Sequence, residues 1–209
     1  MAKQAQKPDK KTKRQEVSQE NPVIYFFGEV NNDNAKDFMR ELSAADSLGK
    51  MITVIVNSPG GDVDAAIACY DCIKSTRNTV LTVGSGLVAS AAILVFLAGD
   101  VRLMYSNARM FFHEVRVDKN GENGYTTGEL TRLAKETADV ASYYFQLVSD
   151  CSGMSPGTVE AMCKQETYVK VHEAVKLGLA TSEYAHSEMK HLNNSTPLER
   201  AVIDLIKKD

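Results

Sequence analysis

The sequence predicts an α/β fold built on a parallel sheet with crossover helices, and three observations point to it. Strand-like and helix-like segments alternate from Val23 to His113. Met51 to Val56 is a continuous, largely β-branched run, as expected of a strand buried on both faces. Ala89 to Ala98 is apolar all round, so it reads as a central, buried helix.

Taken in order, residues 1–20 are Lys, Gln, Glu and Ser with almost nothing to bury. Lys3, Lys7, Lys10, Lys11, Lys13 and Arg14 give this leader a basic character, and its composition predicts disorder. Val23 to Phe27 is a short apolar strand. Asp33 is placed to cap a helix to about Ser47, with Ala35, Phe38, Met39 and Leu42 at helical spacing. After the Met51–Val56 strand comes a helix from Asp62 to Thr76, with Ala66, Cys69, Tyr70 and Ile73 on one side. Thr79 to Val83 is a third strand. Val101 to Tyr105 and Arg109 to His113 follow the central helix as further strands.

Beyond His113 the character changes. Val117 to Gly128 is polar and glycine-containing, hence a loop or hairpin. Glu129 to about Cys151 is a long helix whose apolar stripe is wide enough to pack between subunits as well as within one. Ser155-Pro156 starts a helix that ends near Lys164, with Pro at its first turn. Tyr168 to Lys170 is a brief strand, and Glu173 to Leu177 a short helix stopped by Gly178. Thr196 to Lys208 is amphipathic, with Leu198, Val202, Leu205 and Ile206 on one side. The expected organisation is a basic leader (1–20), one globular domain (21–185) and a helical extension (186–209).

Composition excludes several classes of function. The chain has 209 residues and a formal net charge of -3, and its basic excess sits only in the leader, which disfavours nucleic acid as a partner. The longest apolar run, Leu87 to Ala98, is well short of the ~20 residues that span a bilayer. No apolar secretory segment precedes Val23, so a reducing cytoplasm is the default location. Cys69 and Cys72 share one face of a helix, and Cys151 and Cys163 do not complete a zinc pattern with them. All four read as core thiols.

Three segments carry chemistry. Gly60-Gly61 follows a buried strand and opens a helix, where glycine allows positive φ and close approach of a ligand to the backbone. A tight turn alone would explain the pair, and no Gly-Lys-Ser/Thr follows to make a phosphate loop. Ser90 stands at the start of the buried helix, where it could simply be an N-cap. Its neighbours Ala89, Ala91 and Ala92 are small, so a substrate backbone can come close, and a helix N-terminus offers free N–H groups to an oxyanion. A serine nucleophile needs a base, and His113, at the end of an apolar strand, is the best placed. His172, His186 and His191 lie in polar or terminal segments. The histidine in turn needs a carboxylate, and Glu114, Asp118, Asp150 and Glu166 are all candidates.

Taken together, Asn57-Ser58-Pro59-Gly60-Gly61, Ala89-Ser90-Ala91, Ser106 through His113 and Glu173 through Leu179 resemble the proteolytic subunit of the Clp protease. The resemblance covers about Val23 to Ala180. It implies a crotonase-like fold, a spiral of strand–strand–helix units, and a serine endopeptidase working within a homo-oligomeric ring. It also implies Ser90 as nucleophile, His113 as general base and the N–H groups of Gly61 and Ala91 as the oxyanion hole. Aligning the segment before Glu173-Ala174 puts Glu166 at the family's acidic position, normally an aspartate. Gly60 and the segment Val115-Arg116-Val117 are the expected peptide-binding residues, the latter by β-augmentation. No metal or organic cofactor is needed for this chemistry. Expected substrates are peptides or unfolded proteins.

The chain also departs from the family. Glu114-Val115-Arg116-Val117 replaces a glycine-rich strand, and the basic leader replaces an axial segment. The strand before Ser58-Pro59-Gly60-Gly61 lacks the family's aromatic anchors for an unfoldase, so a Clp-type ATPase partner is disfavoured. Phage head-maturation proteases share the same core with divergent ends, and the resemblance extends to them and to stand-alone bacterial paralogues. Two rival readings are a crotonase-like enzyme acting on an acyl-thioester and a non-catalytic ring component.

Overall fold

The computed structural model describes residues 21–116 and 124–184. The leader, Val117, Asp118 and the expected C-terminal extension lie outside the described residues. Thirteen elements follow in order. They are β1 (Val23–Phe27), α1 (Asn32–Asp46), β2 (Ile52–Ser58), α2 (Val63–Lys74), β3 (Val80–Ala89), α3 (Ala92–Leu97), β4 (Val101–Tyr105), β5 (Arg109–Phe111), α4 (Thr127–Ser152), α5 (Pro156–Lys164), β6 (Tyr168–Lys170), α6 (Val171–Lys176) and β7 (Ser182–Tyr184).

The sheet runs β1-β2-β3-β4-β7, and each of these neighbouring pairs is parallel. A parallel neighbour requires a crossover, and α1, α2 and α3 supply it between the first four strands. β2 is buried on both sides over Ile52–Val54, which is why its sequence does not alternate. Every side chain of α3 is buried, so this short helix is the centre of the core. Cys69 and Cys163 are buried in that core, whereas Cys72 and Cys151 are half-buried, and all four thiols are free.

Several elements differ from those the sequence predicts, and the start of α1, the end of β3 and the presence of β7 are the most informative. Asn31, not Asp33, caps α1: its side chain accepts the N–H of Asn34 at 2.9 Å. β3 does not stop at Val83 but continues through two glycines to Ala89, shortening the helix that follows. Gly84 marks close packing there rather than a turn, since a Cβ would lie 3.1 Å from Met104 and 3.4 Å from Phe96. β7 was not visible as a strand in the sequence. It is short and largely polar, and it is held by pairing with β4.

The extension of β3 matters for function. Its lower half pairs with β2 and β4, while its upper half, Leu87–Ala89, pairs in parallel with β5. β5 pairs in turn, antiparallel, with β6. The end of β3 therefore delivers Ser90 beside the end of β5, which leads to His113.

Candidate active site

The turn after β2 is held by its own side chains. Ser58, buried, accepts the N–H of Gly60 on its hydroxyl at 3.1 Å. Asn57 reaches across to β3 and accepts the N–H of Leu87 at 3.2 Å. Gly60 and Gly61 have φ of 92° and 145°, in the region that favours glycine. The carbonyl of Gly60 accepts from Val30 at 2.8 Å, and Asp62 donates to the Val30 carbonyl at 2.8 Å. A Cβ at Gly60 would lie 2.6 Å from the Cβ of Ser90 and 2.7 Å from the carbonyl oxygen of Ala89, so only glycine fits against the serine.

Ser90 occupies the connection between β3 and α3 with φ of 52°, a left-handed conformation costly for a residue with a Cβ. A serine acting only as an N-cap would sit in extended backbone with its side chain on the helix. Here the N-cap position is Ala91, and no side chain caps α3. The strained geometry is instead held by the surroundings. The Ser90 N–H donates to Phe111 at 2.9 Å, and its carbonyl accepts from Ile93 at 3.0 Å and from the Tyr144 hydroxyl at 3.3 Å. Such a sharp strand-to-helix turn pushes a hydroxyl outward into a cleft.

That cleft has a volume of about 840 Å³, and its lining includes Gly60, Gly61, Ser90, Ala91, His113, Val115 and Arg116. Among the described residues, neither the N–H of Gly61 nor that of Ala91 donates to a protein acceptor. Ser58 has already taken the neighbouring N–H of Gly60, which leaves two backbone donors at the cleft beside one hydroxyl.

His113 is half-buried and braced by aromatic rings. Its ring lies 5.5 Å from that of Phe111, which stacks on Tyr168 at 4.2 Å, and Arg109 lies over Tyr168 at 5.3 Å. Nδ1 of His113 is 2.7 Å from the carbonyl oxygen of Glu114. A carbonyl only accepts, so Nδ1 carries the proton in this contact and Nε2 is left as a proton acceptor. Nothing in the sequence marked Phe111 and Tyr168 as supports; their pairing depends on the β5–β6 register.

Of the carboxylates considered, Asp150 lies on α4, where it accepts from Gln146 at 2.7 Å. Glu114 contributes its backbone carbonyl to His113. Glu166 is exposed, with φ of 50°, and accepts from Arg116 at 3.1 Å. Its side chain is thus on Arg116 in this structure, not on the histidine. Its backbone position is nonetheless informative. The β5–β6 ladder pairs Phe111 with Tyr168, and Phe112 donates to Thr167 at 2.9 Å. The ladder itself ends at Phe111–Tyr168; counted two residues past it, the same register would set His113 opposite Glu166.

Val115 and Arg116 belong to the cleft, and Val117 lies outside the described residues. β5, expected to run from Arg109 to His113, ends at Phe111, and Val115 and Arg116 follow it outside any strand. Among the described residues, no group of three His, Cys, Asp or Glu side chains is placed to hold a metal ion. No helix among them is long and apolar enough to cross a membrane.

A parallel α/β core that ends one strand in a strained serine at the mouth of a cleft has the design of a serine-type hydrolase. The Clp protease family model matches residues 6–183, and the chain belongs to that family as a ClpP-like serine-type peptidase with a crotonase-like fold. It is 33% identical over 163 residues to the ATP-dependent Clp protease proteolytic subunit 2 of Treponema pallidum, covering 76% of this chain and 80% of that protein. The corresponding subunit 2 of Pseudomonas aeruginosa is 29% identical over 159 residues, covering 75% and 77%. Among solved structures, ClpP1 from Listeria monocytogenes superposes with a TM-score of 0.67 at 27% identity, covering 78% of this chain and 91% of that one.

Proposed function

We propose that the protein hydrolyses peptide bonds through an acyl-enzyme on Ser90. The observation that carries this reading is Ser90 at positive φ on the β3–α3 turn, beside Gly60 and Gly61 and in one cleft with His113. His113 takes the hydroxyl proton on Nε2 as the serine oxygen attacks the scissile carbonyl. The N–H groups of Gly61 and Ala91 hold the oxyanion that forms. The proton then passes to the leaving amine, and water repeats the sequence to release the acid and free Ser90. Glu166, opposite His113 where that register is counted past the ladder, stabilises the imidazolium once its carboxylate leaves Arg116. Val115 and Arg116 line the peptide path with Gly60. Ser90→Ala should abolish peptide cleavage with fold and assembly intact, because it removes one hydroxyl. Cleavage at near wild-type rate by that variant would refute the reading.

The same reading includes a homo-oligomeric ring. α4 buries only Tyr144 and Val148, while Leu130 is 54% exposed and Tyr143 56% exposed. Leu130, Leu133, Ala134, Ala138, Ala141 and Phe145 line a groove of about 640 Å³ that a lone chain leaves open. Copies of the chain packing through α4 would cover it, and light scattering that finds only monomers under active conditions would reject this. Substrates are peptides or unfolded chains, and the four free thiols suit a reducing cytoplasm.

A Clp-type ATPase stays disfavoured on the residues of β2. However, Tyr25 (63% exposed) and Phe27 (51% exposed) stand on the neighbouring strand, with Tyr25 paired to Ile55. ATP-dependent degradation of a folded, tagged substrate with a Clp ATPase would decide between the two.

A further inference from the structure

Tyr144 is the one α4 side chain that reaches the nucleophile's backbone. Its ring is buried between α4 and the core, and it lines the cleft. Its hydroxyl donates to the carbonyl oxygen of Ser90 at 3.3 Å. That carbonyl and the N–H of Ala91 belong to one peptide unit. The unit is rigid, planar and trans, so its C=O and N–H point in opposite directions. Fixing the oxygen fixes the hydrogen.

We propose that Tyr144 is a positioning residue for the oxyanion hole, orienting the Ala91 N–H through the Ser90–Ala91 peptide. This inference rests on Ser90 being the nucleophile.

Three observations support it. Ser90 has φ of 52°, so the turn has no intrinsic preference for its conformation and depends on external contacts. Among the described residues, the one other bond to the Ser90 carbonyl comes from Ile93, one short turn of a six-residue helix. Tyr144 comes from a separate 26-residue helix and supplies an independent second anchor. A hydrogen bond accepted at a peptide oxygen also polarises the N–H at its other end, which strengthens that donor. Burial, with the nearby Cys163 adding to it, pushes the Tyr144 phenol well above its usual range, so the donor is retained around neutral pH. The role therefore adds no ionisation of its own to the pH–rate profile.

The test is Tyr144→Phe, which keeps the buried ring and removes the donor. Loss of one oxyanion-hole donor costs ~10²–10³-fold, and loosening one costs less, so kcat should fall about tenfold with KM within about twofold. A peptide boronate, whose tetrahedral oxygen occupies the oxyanion hole, should bind weaker by the same factor as kcat/KM. The pH–rate profile should keep its shape. Tyr144→Met, which also lacks the hydroxyl, must show the same division between kcat and KM. Rates are taken per folded enzyme, from active-site titration.

Wild-type kcat and boronate affinity in Tyr144→Phe would overturn the inference and leave the peptidase reading standing. A loss that follows melting temperature, or that falls on KM alone, would overturn it in favour of a packing role. Failure of the wild-type protein to react at Ser90 with a fluorophosphonate would overturn both readings.

Discussion

The two sides of the cleft are built differently. On the nucleophile side, Ser90 is locked through its backbone by Phe111, Ile93 and Tyr144, and Gly60, having no Cβ, leaves room for its side chain. On the base side, His113 rests on the carbonyl of its own neighbour, and Glu166 is paired with an exposed arginine. The first arrangement is over-determined, with Ser90 half-buried and its partners Ile93 and Tyr144 in the core; the second rests on a backbone carbonyl and an exposed ion pair, the latter worth little in water. The difference teaches that the strained part of the site is carried by the monomer's core. The contacts of the proposed acid–base part leave it adjustable.

Variants can break or sharpen this contrast. The largest effect belongs to the locked side. Gly60→Ala places a methyl group against Ser90 and the carbonyl of Ala89 in a backbone conformation that alanine resists. Peptidase activity should fall by about 10²-fold or more even in the folded fraction, as expected when a transition-state donor array is disrupted. Near-normal kcat in Gly60→Ala would show that the elbow tolerates movement.

On the adjustable side, Glu166→Gln keeps size and hydrogen bonding but removes the charge proposed to stabilise the imidazolium. Turnover should drop by orders of magnitude with little change in KM, and melting temperature should hardly move, because the Arg116 pair is exposed. Full activity of Glu166→Gln together with inactivity of Asp150→Asn or Glu114→Gln would transfer the role to another carboxylate. The smallest effect is that of Arg116→Gln. It releases Glu166 from its present partner, and kcat should rise by at most about fivefold, the scale of an exposed ion pair. A large fall in kcat instead would show that Arg116 acts on substrate rather than restraining Glu166.

The sequence made the core legible because burial imposes patterns. β1, β4 and β6 lie where their apolar runs place them, and Ser155-Pro156 starts α5 as its cap and proline require. Legibility failed where tertiary contacts outweigh local signals. Gly84 and Gly86 look like a stop, yet β3 runs through them because its neighbours on both sides continue the ladder. Asp33 looks like a cap, but Asn31 has the extended backbone that capping needs. In the site, Ser90, His113 and the glycine pair were visible as residue types at motif spacing. What holds them was not. The support of His113 by Phe111 and Tyr168 depends on the antiparallel β5–β6 pairing across more than fifty residues of chain, and no local pattern encodes it. Tyr144 looked like one more apolar residue in a long stripe until α4 was placed against Ser90.

If the fold prepares Ser90 as a reactive nucleophile, a fluorophosphonate probe followed by mass spectrometry of the intact protein will detect it. One adduct per chain is expected, mapped to Ser90, absent in Ser90→Ala and strongly slowed in His113→Ala. An unlabelled wild-type protein, or equal labelling of wild type and Ser90→Ala, would contradict it.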